Sequence, residues 1–452
     1  MENEPLAIEI IRVLRLNGHL AFLVGGCVRD RLLGQEPKDF DVSTDARPEQ
    51  ISRLFPRSRL VGEQFGVVLV GEGESGVHVE VATFRSEGAY SDGRHPDTVR
   101  FESDPAADVM RRDFTINGLM EDPMNGRILD FVGGRADLER GLVRAIGDPT
   151  TRFREDHLRL MRAARLAARL GFEIEAGTLA AMQASAGDIQ RTAAERVRDE
   201  LVRILTQGAP RRGLDLLDEA RLLEQVLPEL KACQGVEQPP EFHPEGDVYT
   251  HTMLMLDLLE RPTATLAMGV MLHDIGKPST FRRAERIRFD GHVEAGVEIA
   301  RNILRRLRFS NEQSEQILSL VENHMRFSHV HLMKASTLKR FLRLDGFREH
   351  LELHRVDCLS SHGSLDNYRF ANEQLEALSD EQLKPPRLIT GRDLMEQGFA
   401  PGARFGVVLH EVETAQLDGT IATREQALDF AIRRLRELSA RPAEAAAQEH
   451  DL

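Results

Sequence analysis

The sequence predicts a mixed domain of helices and strands, α/β or α+β, over roughly its first 150 residues, followed by a mainly helical body. Three observations point there. Strand-like apolar runs, "RLVGEQFGVVLVGE" (59–72) and "VHVEVATF" (77–84), occur in the first third of the chain. Beyond 150 the alternation almost disappears and helical periodicity takes over, with breaks near "GFEIEAG", "TQGAPRRG", "GVEQPPEFHPEG", "DEQLKPPR" and "FAPGA". Finally, 452 residues are too many for one core, so about two to four domains are expected.

Composition narrows the function classes. A net charge of −14 argues against wholesale coating of nucleic acid, although "RFREDHLRLMRAARLAAR" (152–169), with six arginines and two acids, and "RNILRRLR" (301–308) are locally basic. The cysteines Cys27, Cys233 and Cys358 are far apart and offer no disulfide or zinc spacing. No run of eighteen apolar residues is present, and the acidic, amphipathic "MENEPLAIEIIRVLRLNGHL" is unlike a targeting peptide. A soluble, cytoplasmic protein without a membrane partner is expected.

The first element of interest is "FLVGGCVRDRLLGQEPKDFDV" (22–42). An apolar strand stops at Gly25-Gly26, a helical segment follows, and a second strand is expected to carry Asp39 and Asp41 on one face, with Phe40 and Val42 turned to the core. In "VHVEVATF" the same alternation turns Val77, Val79 and Val81 inward and Glu80 outward. Three carboxylates on neighbouring strands repel unless a cation sits between them, and Mg²⁺ completed by phosphate oxygens is the usual answer. The glycine turn offers backbone N–H groups to a phosphate, with Arg29 as a further cation. Alone, "GG" is an ordinary turn and D-x-D a strand end; together they are sharper. Next, "DPAADVMRRDFTINGLM" (104–120) reads as one helix, on which Asp113 and Asn117, four apart, share a face.

The glycines, Arg29-Asp30, the D-F-D, Glu80 and "RRDFTIN" (111–117) resemble the class II tRNA nucleotidyltransferase and bacterial poly(A) polymerase family, a branch of the polymerase β superfamily. So do "DFVGGRADL" (130–138), "REDHLRLMRAARLAARLGF" (154–172) and "ERVRDEL" (195–201). The likeness is specific over about the first 200 residues and looser beyond. It implies an α+β fold with a polymerase-β-like nucleotidyltransferase head built on a small β-sheet, then an all-α body. By resemblance, Asp39 and Asp41 bind the catalytic metals and Glu80 is the third catalytic carboxylate. Arg112, Asp113 and Asn117 contact the sugar and triphosphate of the incoming nucleotide, and Arg162 and Arg165 join the nucleotide site.

Base choice can be argued from Asp156 and Arg159. Three apart, they can reach one point beside a helix. Cytosine and adenine share an exocyclic amine beside an unprotonated ring nitrogen, so Asp accepts from the amine while Arg donates to the ring. Uracil and guanine oppose both groups. The resemblance makes "EDHLR" (Glu155 to Arg159) this template; otherwise D-x-x-R is an intrahelical ion pair. Glu63 stands where poly(A) polymerases of the family carry a basic residue, which favours the tRNA enzyme. The Gly/Ser/Asp/Pro-rich "RSEGAYSDGRHPDTVRF" (85–101) resembles the flexible loop needed for the terminal A, which disfavours CC-only addition but not A-only addition.

A second constellation lies in the helical half: "HPEGDVYTHTM" (243–253), "MLHDIGKPST" (271–280), "GHVEAG" (291–296), "ENHMRF" (322–327) and "HRVDCLSSHG" (354–363). In order, His251, His273-Asp274 and Asp357 resemble the metal ligands of an HD-type phosphohydrolase domain, with His292 and His324 as further ligands or phosphate contacts and Lys277 as a countercharge. Such donors suit Mn²⁺, Ni²⁺, Co²⁺, Fe²⁺ or Zn²⁺.

The expected plan is therefore a catalytic head over 1–150, a nucleotide-selecting and linker region over 151–235, an HD-type domain over 236–375, and a C-terminal helical, tRNA-binding tail over 376–452. The expected activity is template-independent addition or repair of the 3′-terminal CCA of tRNA from CTP and ATP, with Mg²⁺ at the head and phosphohydrolase activity on RNA ends at the second site. The rivals are A-only addition, a poly(A) polymerase, and, outside the class, an HD phosphohydrolase or RNA-binding protein with an inactive head. Oligomeric state is not legible in the sequence.

Overall fold

The protein is described by a computed structural model covering residues 3–61, 66–71, 76–88, 90, 93 and 96–440. Glu63 lies outside these residues, as does part of the segment 85–101. The chain forms two compact units, residues 1–238 with 246–314 and residues 239–245 with 315–452.

In the first unit, helix α1 (Asn3–Leu16) buries Ala7, Ile10, Ile11 and Leu14 against a seven-stranded sheet. The strands are β1 (Ala21–Val24), β2 (Asp41–Thr44), β3 (Ser58–Leu60), β4 (Val67–Gly71), β5 (His78–Thr83), β8 (Met120–Asp122) and β9 (Arg127–Leu129), in the order β3-β4-β5-β2-β1-β8-β9. Two further short strands, β6 (Arg85–Glu87) and β7 (Val99–Phe101), pair with each other and clasp the two ends of the segment 85–101. Within the large sheet β2 and β5 run parallel, which sets Asp41 opposite Glu80. β1 is antiparallel to β2, and its last residue, Val24, pairs with Asp41. Phe22, Val24, Phe84, Val109, Met120 and Ile146 form the core beneath.

Strand β2 begins at Asp41. Asp39 belongs to the extended approach to it and is exposed, while Phe40 and Val42 are buried as their alternation predicts. The helix expected over 104–120 is shorter. Asp104 caps it by accepting from the Ala106 N–H, Pro105 opens it, and it ends at Met110. The chain then makes an isolated bridge at Phe114 and a 3₁₀ turn, Thr115–Asn117, before entering β8. Burial of Phe114, Ile116 and Leu119 at 0 % exposure outweighs local helix propensity here.

The basic run 152–169 is two helices rather than one, Pro149–Glu155 and Arg159–Leu170. Between them Asp156 is extended (φ −145°, ψ 104°). The second of these helices is strongly amphipathic: Leu160, Met161, Ala163, Ala164, Ala167 and Ala168 are buried, and Arg159, Arg162, Arg165 and Arg169 follow the complementary helical spacing. It packs on the helices Ala194–Thr206 and Pro210–Glu219. A Cβ at Gly213 would come within 2.5 Å of Ile204, so the last two helices need glycine at their contact. Beyond 235 the first unit adds Val248–Asp257, Ala264–Leu272, Lys277–Thr280 and His292–Arg306, with a two-stranded hairpin, Arg282–Arg283 and Ile287–Arg288, before the last helix.

The second unit is helical. The 3₁₀ segment His324–Leu332 and the helices Ala335–Leu342, Phe347–Ser360 and Asp366–Ala377 share a core of Phe327, Phe341, Phe347 and Leu351, with Phe327 edge-on to Phe341 at 4.9 Å. Gly391–Glu396, Ala403–Leu417 and Arg424–Ala440 close over Leu394, Val408, Val412 and Ala427. Arg340 and Arg343 both grip Glu413, at 3.1 and 2.8 Å, and hold these two helical groups together. Among the described residues no helix is long and apolar enough to cross a membrane.

Candidate functional site

A cleft of about 380 Å³ opens at the C-terminal end of β1. It is lined by Gly25, Gly26 and Arg29 from the turn and the helix (Gly26–Leu32) that follow β1, by Asp41 from β2, by Arg112, Asp113 and Asn117 from the "RRDFTIN" turn, and by Asp156, Arg159, Arg162 and Arg165 from the helical side. These are the nucleotide-site residues predicted from sequence. Asp41 lines the cleft, whereas Asp39 and Glu80 are exposed residues flanking it in the chain and in the sheet.

Gly25 has φ +81°, a conformation that favours glycine, and a Cβ there would point at the Arg112 guanidinium 3.6 Å away. Its N–H donates to the Leu119 carbonyl at 3.3 Å and is thereby committed, so the amides offered to a phosphate are those that open the helix beginning at Gly26. Arg29 is buried and donates to Asp30 at 2.8 and 2.6 Å and to Asn117 Oδ1 at 2.6 Å. Asp113 and Asn117 are not on a helix, yet they meet: the Asn117 amide donates to Asp113 at 3.2 Å. The other Asp113 oxygen takes two bonds from Arg162, at 3.0 and 2.6 Å. Burial would raise the Asp113 pKa, but Arg162 and Arg159 overcome it and hold it at about 2.

Asp41 is the opposite case. Burial first and then the charge of Glu80 push its pKa up to about 6, against a partial lowering by Arg112 and with a lesser push from Asp39. A half-buried carboxylate facing a second one in register is a donor set short of positive charge. The carboxylates therefore fit a hard divalent cation.

Asp156 and Arg159 both line the cleft but do not pair with each other, so neither the shared helix face nor the intrahelical ion pair describes them. Asp156 is gripped through both oxygens by Arg196, at 3.0 and 2.9 Å. Arg159 is held by Glu155 at 2.6 Å and by the carbonyls of Arg152 and Arg111 at 3.0 and 3.1 Å. Arg196 carried no predicted role. Its signal was "ERVRDEL", in which Arg196 and Glu200 lie four apart: the first holds Asp156, the second Arg165 at 2.6 Å.

Some residues of the second constellation belong to the first unit and some to the second. In the first, His251, His273 and Asp274 are buried, with the His251 and His273 rings 5.5 Å apart. The Nδ1–H of His273 donates to the Val270 carbonyl at 2.8 Å and that of His292 to the Phe289 carbonyl at 2.9 Å. In the neutral imidazole each such bond puts the lone pair on Nε2. His273 Nε2 lies 2.9 Å, and His292 Nε2 3.7 Å, from Asp274 oxygens. Lone pairs converging on a carboxylate fit a divalent ion of the transition series. Lys277 stands at 2.7 Å from Asp274. In the second unit, His324 shows the same device, donating to the Val321 carbonyl at 2.7 Å, and Asp357 lies on the helix Phe347–Ser360.

Comparison with known proteins covers most of the chain. Residues 21–144 match the Poly A polymerase head domain, residues 171–234 the "Probable RNA and SrmB- binding site of polymerase A", and residues 248–354 the HD domain. A CCA-adding enzyme of Levilactobacillus brevis is 32 % identical over 95 % of this chain and 98 % of its own. A multifunctional CCA protein of Halorhodospira halophila is 35 % identical over 86 % of this chain and 94 % of its own. The crystal structure of the Bacillus stearothermophilus CCA-adding enzyme in complex with CTP shares the fold with a TM-score of 0.73 at 24 % identity, covering 96 % of this chain and 98 % of that one.

Proposed function

The chain belongs to the family of CCA-adding enzymes, and from that premise we propose that its head adds the 3′-terminal CCA of tRNA, without a template, from CTP and ATP. The observation that supports the assignment of the site is Asp41 paired in register with Glu80 at a cleft whose other wall is arginine. Asp39 and Asp41, with Glu80, would hold Mg²⁺. When bound, the ion activates an attacking hydroxyl and stabilises the leaving pyrophosphate. The chain's own residues do the rest. Gly26, Arg112 and Arg162 receive the triphosphate, and Arg29 fixes Asn117 against the sugar. Asp156 accepts the amine common to cytosine and adenine, and Arg159 donates to the adjacent ring nitrogen. Residues 1–150 form the catalytic head, 151–235 the selecting and linker region, 236–375 the HD-type domain and 376–452 the tRNA-holding tail, acting in the cytoplasm.

The test presents purified protein with tRNAs ending before CCA, after C and after CC, with CTP and ATP separately and together. Extension of all three to CCA is expected. Extension only of the tRNA ending in CC would assign A-only addition, and runs of A on any end would assign a poly(A) polymerase.

A second activity is favoured by the Nε2 lone pairs of His273 and His292 around Asp274. We infer that His251, His273 and Asp274 hold a divalent transition metal and that this site removes phosphate from RNA ends, leaving the 3′-OH that the head extends. Release of phosphate from RNA 3′-phosphates or 2′,3′-cyclic phosphates, in Mn²⁺, Co²⁺ or Ni²⁺, tests it.

A further inference from the structure

Between Lys277 and His292 the chain inserts "FRRAERIRFD" (281–290), four arginines against two acids. Its strands, Arg282–Arg283 and Ile287–Arg288, pair only with each other, and the register sets Arg282 opposite Arg288. Like charges directly across a two-stranded ladder destabilise it, so stability alone does not select this pair. On the other face Arg283 forms an ion pair with Glu237, which ties the hairpin down. Arg282, Arg286 and Arg288 are exposed, and among the described residues none of them forms an ion pair.

The base of the hairpin is built into the histidine site. The Phe289 carbonyl accepts both the N–H and the Nδ1–H of His292, at 3.1 and 2.9 Å, and the Phe289 ring lies 5.3 Å from Lys277 Nζ. Lys277 is itself buried, held at 2.7 Å by Asp274 and at 2.7 Å by Gln238. A Cβ at Gly276 would come within 2.1 Å of the His292 carbonyl, so the helix beginning at His292 is seated directly against the turn that carries Asp274. Positive charge thus runs from three exposed guanidinium groups to a buried ammonium beside the metal-ligating set.

We propose that this hairpin is the docking surface for the phosphodiester backbone of a single RNA strand, whose 3′ end it leads to the Asp274 site. Guanidinium groups fork phosphate oxygens, and an anion lying across Arg282 and Arg288 converts their mutual repulsion into shared attraction. The cations are strung along a hairpin rather than gathered at a point, which fits a polyanion better than a lone phosphate. Phe281, 38 % exposed with its ring 5.9 Å from that of Phe289, offers a face for a base. The destination of the strand rests on the phosphatase activity proposed above; the binding itself does not.

The experiment uses the full chain and its Arg282→Ala/Arg288→Ala variant. Binding of a ten-nucleotide single-stranded RNA ending in a 3′-phosphate is followed by fluorescence anisotropy across a salt series. Each phosphate contact on a single strand contributes about 0.7 to the slope of log K against log salt, so the variant should be flatter by about 1.4. Its melting temperature should not fall, since a repulsive pair is removed, and Arg282→Lys/Arg288→Lys should keep the parental slope. Nucleotide addition to tRNA should stay within about twofold. An unchanged slope, or a matching loss of nucleotide addition that would put the hairpin in the path to the head, overturns the proposal. Failure of the phosphatase assignment shows separately, as no phosphate release by the parent with Mn²⁺, Co²⁺ or Ni²⁺, and the salt slope still reads the hairpin.

Discussion

Replacing Asp156 by Ala asks whether base choice resides in the pair proposed for it, Asp156 and Arg159. The carboxylate has about four lone-pair sites: Arg196 occupies one on each oxygen at 3.0 and 2.9 Å, and the Leu158 N–H takes a second on Oδ1 at 3.1 Å. A lone pair therefore remains for an exocyclic amine, while the guanidinium fixes where it points. A hydrogen bond to a charged group is worth about 1.5–3 kcal/mol, so in Asp156→Ala the preference for CTP over UTP should fall roughly ten- to a hundredfold. Arg196→Ala keeps the acceptor but loses its aim, and should forfeit most of the same preference. Because both changes remove one unit, the double variant should discriminate no worse than Asp156→Ala. The assay is single-turnover incorporation of each of the four nucleotides onto tRNA lacking CCA. Unchanged discrimination in Asp156→Ala would mean that the base is read elsewhere. Full discrimination in Arg196→Ala beside its loss in Asp156→Ala would refute the aiming role of Arg196.

Asp39→Ala with Asp41→Ala should abolish nucleotide addition while tRNA retention in a gel-shift assay survives, because the role proposed for these carboxylates is to hold metal rather than phosphate. His273→Ala with Asp274→Ala should leave addition nearly intact and remove metal-dependent phosphate release, measured on RNA 3′-phosphates. Asp113 is held at about 2 against an ordinary 3.8, so the native state takes up its proton later than the unfolded chain. That contribution, about 2 kcal/mol, is present above pH 4 and lost as pH falls from 4 to 2. Urea unfolding of Asp113→Asn should accordingly show a shallower acid limb over that window.

What the sequence conveyed best was what a period of two or a fixed motif encodes. Glu80 lies on the exposed face of β5 as its alternation predicts, and Arg112, Asp113 and Asn117 of "RRDFTIN" line one cleft with the glycine turn, although the helix assumed for them ends at Met110. The contact between Asp113 and Asn117 was anticipated for the wrong reason: a 3₁₀ turn, not a shared helix face, brings them together. Asp156 shows why such pairs are hard to read. Spacing of three suggests a partner on the same helix, but a helix break at Asp156 turns its carboxylate toward Arg196, forty residues away. Partners at that separation are set by packing of the helices Arg159–Leu170 and Ala194–Thr206, and no local pattern announces them.

The same packing explains how a chain of net charge −14 can present an arginine-lined cleft. Arg29 and Arg169 both pair with Asp30, Arg111 and Arg112 with Asp108, Arg159 with Glu155, Arg162 with Asp113 and Arg165 with Glu200. Each guanidinium has five N–H donors, of which these ion pairs use one or two. The acids thus cancel much of the charge repulsion among neighbouring arginines and leave oriented donors. Long-range attraction for phosphate is correspondingly weak, whereas geometric selection is strong, because a fixed fork rewards a phosphate or base edge only where its oxygens or ring nitrogens fall. Tight nonspecific capture of nucleic acid would call for the reverse, unpaired cations over a broad surface. The exposed Arg282, Arg286 and Arg288 of the 281–290 hairpin have that character, whereas the arginines of the cleft are each held by an acid.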